Sequence, residues 1–348
     1  MINRREFVTM MSAGAAGLLV PGLFSRGAST GRRPNVIVIL IDDLGYADLS
    51  CHSATDVQTP NIASLAKNGI DFTQGYVSAP QCSPSRAGLL TGRYQQRFGH
   101  EWNAAPKEAS ATVGLPLSQR TLADVFKANG YATGMVGKWH LGLNPYFHPL
   151  KRGFQEFFGF LDSSHDYFYK PDHAHDPICR GYTPVVEKEY LTDAFTREAV
   201  SFIQRHKNEP FFLYLPYNAV HVPLEAPPTK YLDRFAHIEK EKRRLFCAML
   251  AAVDDGVGAV LSTLRQLNLE EDTLVFLVSD NGGPTAGNSS RNTPYRGGKG
   301  GLGEGGIHVP FLAQWKGHLP AGKEYAQPII SLDVFPTALA AAGIVPPA

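Results

Sequence analysis

The sequence predicts an α/β fold in which a mostly parallel central sheet is flanked by helices, and three observations carry that prediction. Pro34-Asn35-Val36-Ile37-Val38-Ile39-Leu40-Ile41 is an unbroken β-branched and aliphatic run, as in a strand buried on both faces. Further strand-like runs alternate with segments of helical spacing. Several of these strands end on Asp, Asn, Lys or His, the position at which open α/β sheets hold their ligands.

Composition narrows the function. With 43% hydrophobic and 19% charged residues, the 348-residue chain has the make-up of a soluble globular protein with a large core, which excludes disorder and coiled coil. A net charge of +1 and no Lys/Arg run argue against nucleic acid as a partner. The 34 glycines and 25 prolines cluster in loops that also hold His, Asp, Asn and Lys, which points to an enzyme with elaborate loops.

Residues 1–30 read as an export signal rather than as part of the fold. Arg4-Arg5 precede a Gly/Ala-rich apolar segment, Val8 to Phe24, that is too short and too weakly hydrophobic for a stable membrane span. The arrangement is similar to a bacterial twin-arginine signal, with a general secretory signal and a chance basic N-terminus as alternatives. A periplasmic or secreted protein is expected.

Along the chain, Thr59-Pro60-Asn61-Ile62-Ala63-Ser64-Leu65-Ala66 predicts a helix with Thr59 as N-cap, ended by Asn68-Gly69. Ile70 to Val77 reads as extended. Arg120 to Ala128 reads as a helix stopped at Asn129-Gly130, followed by a strand from Tyr131 to Val136 that leads into Gly137-Lys138-Trp139-His140. The pattern repeats with a helix over Thr192 to His206 and the strand Phe211-Phe212-Leu213-Tyr214-Leu215, leading to His221. A long helix covers about Ile238 to Gln266, and the strand Thr273 to Val278 ends in Ser279-Asp280-Asn281-Gly282-Gly283. A strand over Val309 to Trp315 and a helix over Leu332 to Ala342 complete the series. Between about 147 and 183 the chain is aromatic, rich in His and without period, as in a substrate-facing insertion.

Four cysteines, Cys51, Cys82, Cys179 and Cys247, form no CxxC pair, so a zinc ribbon or dithiol is not indicated. Cys247 lies in an apolar helical pattern and reads as a buried thiol; Cys51 and Cys179 are free or bridged. Cys82 differs. Prolines 80 and 84 surround it and Ser85 to Leu90 suits a helix, so Cys82 is placed just before a helix N-terminus, where unpaired N–H groups favour an anion. Arg86 follows one turn on and can fork onto the same anion. Cys82 is a structural thiol, a thiolate nucleophile activated by Arg86 and the helix end, or the precursor of another group.

The polar residues at strand ends form a constellation. Asp42, Asp43, Asp280 and Asn281 offer oxygen atoms, which suit calcium or magnesium better than zinc. Either pair alone reads equally well as a turn. Extended backbone points Lys138 and His140 to one side, and His221 ends another strand. Lys299 lies in Arg296-Gly297-Gly298-Lys299-Gly300-Gly301, whose bare backbone allows close approach to a ligand. Singly, each is a solvated lysine or a satisfied half-buried histidine; together they supply cations to hold an oxyanion and imidazoles to move protons.

Cys82-Ser83-Pro84-Ser85-Arg86, followed by Ala87-Gly88-Leu89-Leu90-Thr91-Gly92, resembles the signature of the type I, formylglycine-dependent sulfatases. The resemblance extends through Asp42-Asp43, Gly137-Lys138-Trp139-His140, His221-Val222-Pro223, Ser279-Asp280-Asn281-Gly282 and Glu304-Gly305-Gly306-Ile307, in family order. It implies an alkaline phosphatase-like sandwich and a sulfatase catalytic domain over 34–348. It also implies oxidation of Cys82 to formylglycine by a formylglycine-generating or sulfatase-maturing enzyme.

By the same resemblance Asp42, Asp43, Asp280, Asn281 and residue 82 would hold calcium, with magnesium as the other choice, and Arg86 would steady the diol. His140 would take the proton that releases sulfate, His221 and Lys299 would assist the leaving oxygen, and Lys138 would bind sulfate. The substrate implied is a sulfated carbohydrate or aryl sulfate, with His165 as a candidate contact beside Asp172-His173-Ala174-His175. A phosphonate monoester or phosphodiester hydrolase and an inactive sulfated-glycan-binding protein are the alternatives. Relatives continue into a C-terminal subdomain; a chain that stops at Pro346-Pro347-Ala348 implies that it is missing or curtailed.

Overall fold

The computed structural model describes residues 32–103, 113–171 and 177–347; the export segment at 1–30 and the histidine-bearing stretch 172–175 lie outside the described residues. Twelve strands are present among them: β1 (Asn35–Ile41), β2 (Ile70–Phe72), β3 (Gly75–Tyr76), β4 (Ala132–Lys138), β5 (Glu156–Phe160), β6 (Cys179–Arg180), β7 (Thr183–Pro184), β8 (Phe211–Tyr217), β9 (Thr273–Ser279), β10 (Phe311–Gln314), β11 (Lys323–Tyr325) and β12 (Ile329–Ile330). The longer helices are α1 (Pro60–Lys67), α2 (Cys82–Thr91), α3 (Leu122–Ala128), α4 (Leu191–Arg205), α5 (Glu241–Gln266) and α6 (Val334–Ala341).

Ten strands form one sheet in the order β11-β2-β10-β9-β1-β8-β4-β5-β6-β7. The five central strands, β9-β1-β8-β4-β5, are all parallel, whereas β10 runs antiparallel to β9. Their burial explains the sequence pattern. Ile37, Ile39 and Ile41 of β1 pack into one apolar layer with α1, α4 and α5. Val36, Val38 and Leu40 pack into the other with α2, α3 and α6. A strand covered on both faces gains nothing from polar alternation, so β1 reads as continuous aliphatic sequence. Among the described residues α5 alone is long and apolar enough to cross a membrane, and 72% of that apolar window is buried inside the fold, as in a core helix.

The predicted elements fall close to their places. β4 and β8 each run two residues further than their aliphatic runs suggest, to Lys138 and Tyr217. The first helix ends at Asn68 as expected, and Thr59 holds the N-cap position, but its hydroxyl accepts from the Ser50 N–H instead of capping. The free N–H groups of Asn61 and Ile62 donate to the carboxylate of Asp254 on α5, at 3.2 and 2.8 Å. All four cysteines are free, which removes the bridged reading of Cys51 and Cys179.

The stretch 147–183 supplies β5, β6 and β7, so part of it is sheet rather than insertion. β5 reads Glu-Phe-Phe-Gly-Phe, too short and too uniformly aromatic to show a period. Its glycine has a geometric cause: a Cβ on Gly159 would stand 1.9 Å from the Gly137 carbonyl oxygen of β4. Gly137 itself has φ +130°, and a Cβ there would stand 2.0 Å from the Pro216 carbonyl oxygen. This close packing delivers Lys138 to the carboxyl end of the sheet.

Candidate active site

The carboxyl ends of the parallel strands bring the sequence-predicted residues together. β1 delivers Asp42 and Asp43, β9 delivers Asp280 and Asn281, and β4 delivers Lys138 with His140 just beyond; the segment after β8 brings His221. α2 enters from one face. Cys82 is its first residue rather than the residue before it, with Gln81 extended as N-cap. Pro84 is tolerated because an amide in the first helical turn has no intrahelical acceptor to lose.

Further side chains, to which the sequence assigned no role, fix the helix start and the strand ends around it. The Ser83 N–H donates to Asn103 Oδ1 at 3.0 Å. Ser83 Oγ donates to the His140 carbonyl at 2.6 Å and lies 2.7 Å from His100 Nε2. Asn288 Nδ2 donates to the Asp43 and Val220 carbonyls, both at 3.1 Å, tying the β1 and β8 ends together. Ser, Asn and His are so common in loops that no sequence signal distinguishes these from their neighbours.

Cys82 is 1% exposed, and its Sγ lies 3.4 Å from Asp42 Oδ1 and 3.9 Å from Asp43 Oδ1. Burial, then the charges of Asp280 and Asp42, push its pKa well above the ordinary thiol value. These causes work against the reading of Cys82 as a thiolate activated by Arg86 and the helix end, and burial is the largest of them. Arg86 is also differently engaged. Its Nε and Nη2 donate to Asp280 Oδ2 at 3.0 and 2.8 Å, and its Nη1 donates to the Lys138 carbonyl at 3.0 Å. A guanidinium without solvent must be paired internally, so it braces the site from behind instead of standing free for an anion.

Lys138 Nζ lies 2.5 Å from Asp42 Oδ2, and Lys299 Nζ lies 2.7 Å from Asp43 Oδ1. Burial alone would raise the pKa of Asp42, but Lys138, His221 and Arg86 together hold it down at about 2. Asn281 Nδ2 donates to Asp43 Oδ1 at 2.7 Å. His221 Nε2 lies 3.7 Å from Asp43 Oδ2, and its Nδ1–H donates to the Val222 carbonyl at 2.7 Å. Burial, followed by the Lys138 charge, lowers the pKa of His221. The same causes put His140 well below the ordinary imidazole value, so it is a neutral ring.

A hard cation fits this donor set. One ligand atom from each of Asp42, Asp43, Cys82 and Asp280 can be chosen so that all lie within 4.8 Å of one another, and all four residues are buried. Asn281 Oδ1 is buried without a partner, an amide oxygen available as a further ligand. His165 takes no part in this cluster: its Nδ1–H donates to the Asp166 carbonyl at 2.7 Å and its ring packs on Phe160. Two residues on, the Tyr167 hydroxyl donates to the Asn218 and His221 carbonyls at 2.7 and 2.8 Å.

A central parallel sheet between two helical layers, with buried carboxylates at its carboxyl edge beside a helix start, places the chain in the alkaline phosphatase-like class of α/β folds. Within that class the profile described as Sulfatase matches residues 34–344, and the chain belongs to the sulfatase family. N-acetylgalactosamine-6-sulfatase of Sus scrofa is 36% identical over 359 residues, covering 96% of this chain and 65% of the pig protein. Arylsulfatase A of Homo sapiens is 36% identical over 347 residues, covering 91% of this chain and 66% of its own length. The chain thus spans about two thirds of the length of these curated relatives. The crystal structure of Ps i-CgsB in complex with k-i-k-neocarrahexaose matches with a TM-score of 0.87 at 40% identity, covering 91% of this chain and 73% of that one.

Proposed function

We propose that the chain is a sulfuric ester hydrolase that releases inorganic sulfate from a sulfated carbohydrate. The observation that carries this reading is Cys82 itself. A thiol buried at a helix start against carboxylates, with its pKa raised, is a poor nucleophile yet a well-placed precursor. Oxidised to formylglycine and hydrated, residue 82 supplies a diol with one oxygen to attack sulfur and a second to expel sulfate. Asp42, Asp43, Asp280, Asn281 and residue 82 would hold a calcium ion, which would supply charge neutralisation at the sulfuryl group.

The other roles belong to side chains already in position. Lys138 and Lys299, each paired with a carboxylate, are cations within reach of a sulfate oxygen. His140 is neutral with both ring nitrogens unpartnered, so it can accept the proton whose removal releases sulfate. His221, oriented by its Nδ1–H bond, stands with Lys299 to assist the leaving oxygen. A carbohydrate is favoured over a simple aryl sulfate because relatives include an N-acetylgalactosamine-6-sulfatase and a protein solved with k-i-k-neocarrahexaose. His165 is a candidate sugar contact at the edge of this site.

The test is sulfate release from a panel of sulfated mono- and oligosaccharides, with a phosphonate monoester and a phosphodiester alongside, by protein produced with a maturing enzyme. Mass spectrometry of the peptide containing residue 82 reports its oxidation state. Cys82→Ser is expected to bind sulfate esters while losing at least about 10³-fold in turnover. Turnover by protein whose Cys82 is an intact thiol would overturn the reading, and preferential turnover of the phosphorus esters would reassign it. Export is a separate proposal, which predicts that a double Arg4→Lys, Arg5→Lys change retains the protein in the cytoplasm.

A further inference from the structure

β8 runs between β1 and β4, so the pair formed by Lys138 of β4 and Asp42 just after β1 reaches across the end of β8. Tyr217, the last residue of β8, is level with Ile41 and sends its ring into the layer of α4 and α5, where its hydroxyl lies 2.8 Å from Thr196 Oγ1. Strand alternation then turns Asn218 toward the opposite layer, the one that holds Tyr214 and α2. There the Asp42 N–H donates to the Ala219 carbonyl at 3.0 Å, so the chain next to Asn218 runs against Asp42, which pairs with Lys138 and lies 3.4 Å from Cys82 Sγ.

Asn218 is 1% exposed, and neither its Nδ2 nor its Oδ1 has a partner. Its main chain, by contrast, is engaged: the carbonyl accepts from the Tyr167 hydroxyl at 2.7 Å and from the His221 N–H at 2.9 Å. The backbone is thus held firmly while the carboxamide is left with unmet donors and acceptor. Burying such groups without partners is costly, so a position that does so is one where a ligand completes the bonding. Two of the other partnerless groups at this end of the sheet, His140 and Asn281 Oδ1, already have ligands to meet in the proposed reaction.

We propose that Asn218 is a further substrate-contacting residue, whose Nδ2–H donates to an oxygen of the sulfate group held beside Lys138. The inference rests on the sulfuric ester hydrolase reading. It adds a neutral donor to a site whose charges are already matched, Asp42, Asp43 and Asp280 against Arg86, Lys138 and Lys299.

The test uses inorganic sulfate as the probe, read as product inhibition of the mature enzyme and as thermal stabilisation of the same protein. Asn218→Ala is expected to weaken sulfate inhibition about tenfold and to raise KM, with calcium affinity and Tm close to those of the parent. Asn218→Asp keeps the shape but offers only acceptors, so sulfate should neither inhibit nor stabilise it. Should the alanine variant fail to fold, Asn218→Ser takes its place with the same expectations. Parental sulfate inhibition in both the small and the acidic variants overturns the role of Asn218. Failure of the unmutated mature enzyme to release sulfate overturns the hydrolase reading instead.

Discussion

With no surface in contact with solvent, Arg86 depends on Asp280, Asp42 and the Lys138 carbonyl to replace polar contact it gave up on folding. Removing one partner of such a buried pair strands the other. Asp280→Ala should therefore cost about 3–5 kcal/mol in denaturant unfolding, before any effect on catalysis is considered. A ligand that binds only the folded site acts in the opposite sense. Calcium at a hundredfold excess over its Kd should add about 2.7 kcal/mol of stability. In Asp43→Asn that increment should shrink or vanish, and a calcium titration followed by calorimetric melting separates the two cases. Equal stabilisation of parent and variant would remove Asp43 from the ligand set.

At the scale of elements, α1 shows how a helix end can be completed from elsewhere in the chain. Asp254 of α5 takes the N–H groups of Asn61 and Ile62, so Asp254→Ala should destabilise by about 1–2 kcal/mol even though it lies in another helix. Urea unfolding measures this, and a loss no larger than that of a neutral surface substitution would refute it. Thr59 looked sufficient as a cap because local sequence cannot show a partner nearly two hundred residues away.

The same limit explains what was and was not legible in the site. Asp42, Asp43, Lys138, His140, Asp280 and Asn281 announce themselves because each follows directly from a readable strand. His100 and Asn288 act by bracing chain segments across connections, and nothing in their neighbourhoods marks that. β5 escaped notice because its strand character comes from Gly159 packing on Gly137, a contact between segments. The fate of Arg86 depended likewise on Asp280 arriving from β9.

The whole molecule carries a pH dependence built from buried neutral imidazoles. His148 Nδ1 accepts the Leu150 N–H at 3.2 Å, and its ring lies against Phe157 and Tyr182. Burial lowers its pKa from 6.5 to about 4. The unfolded chain therefore takes up the proton first on acidification. Its contribution is complete above pH 6.5, declines as pH falls towards 4, and amounts to roughly 2 kcal/mol. His148→Asn retains an acceptor for the Leu150 N–H without titrating there, so its stability curve should be flatter between these limits. Parallel curves for parent and variant would dismiss the effect.

Every residue of α2 is buried, from Cys82 to Thr91. Once that helix has packed between the sheet and α6, no protein-sized reagent can reach residue 82. On the proposed reading, oxidation of Cys82 would therefore run ahead of folding, while the segment is still an open chain. A molecule that folded with its thiol intact would then have missed its opportunity, and a purified preparation would hold a fixed oxidised fraction. Adding the maturing enzyme afterwards should not increase that fraction, whereas adding it during refolding should.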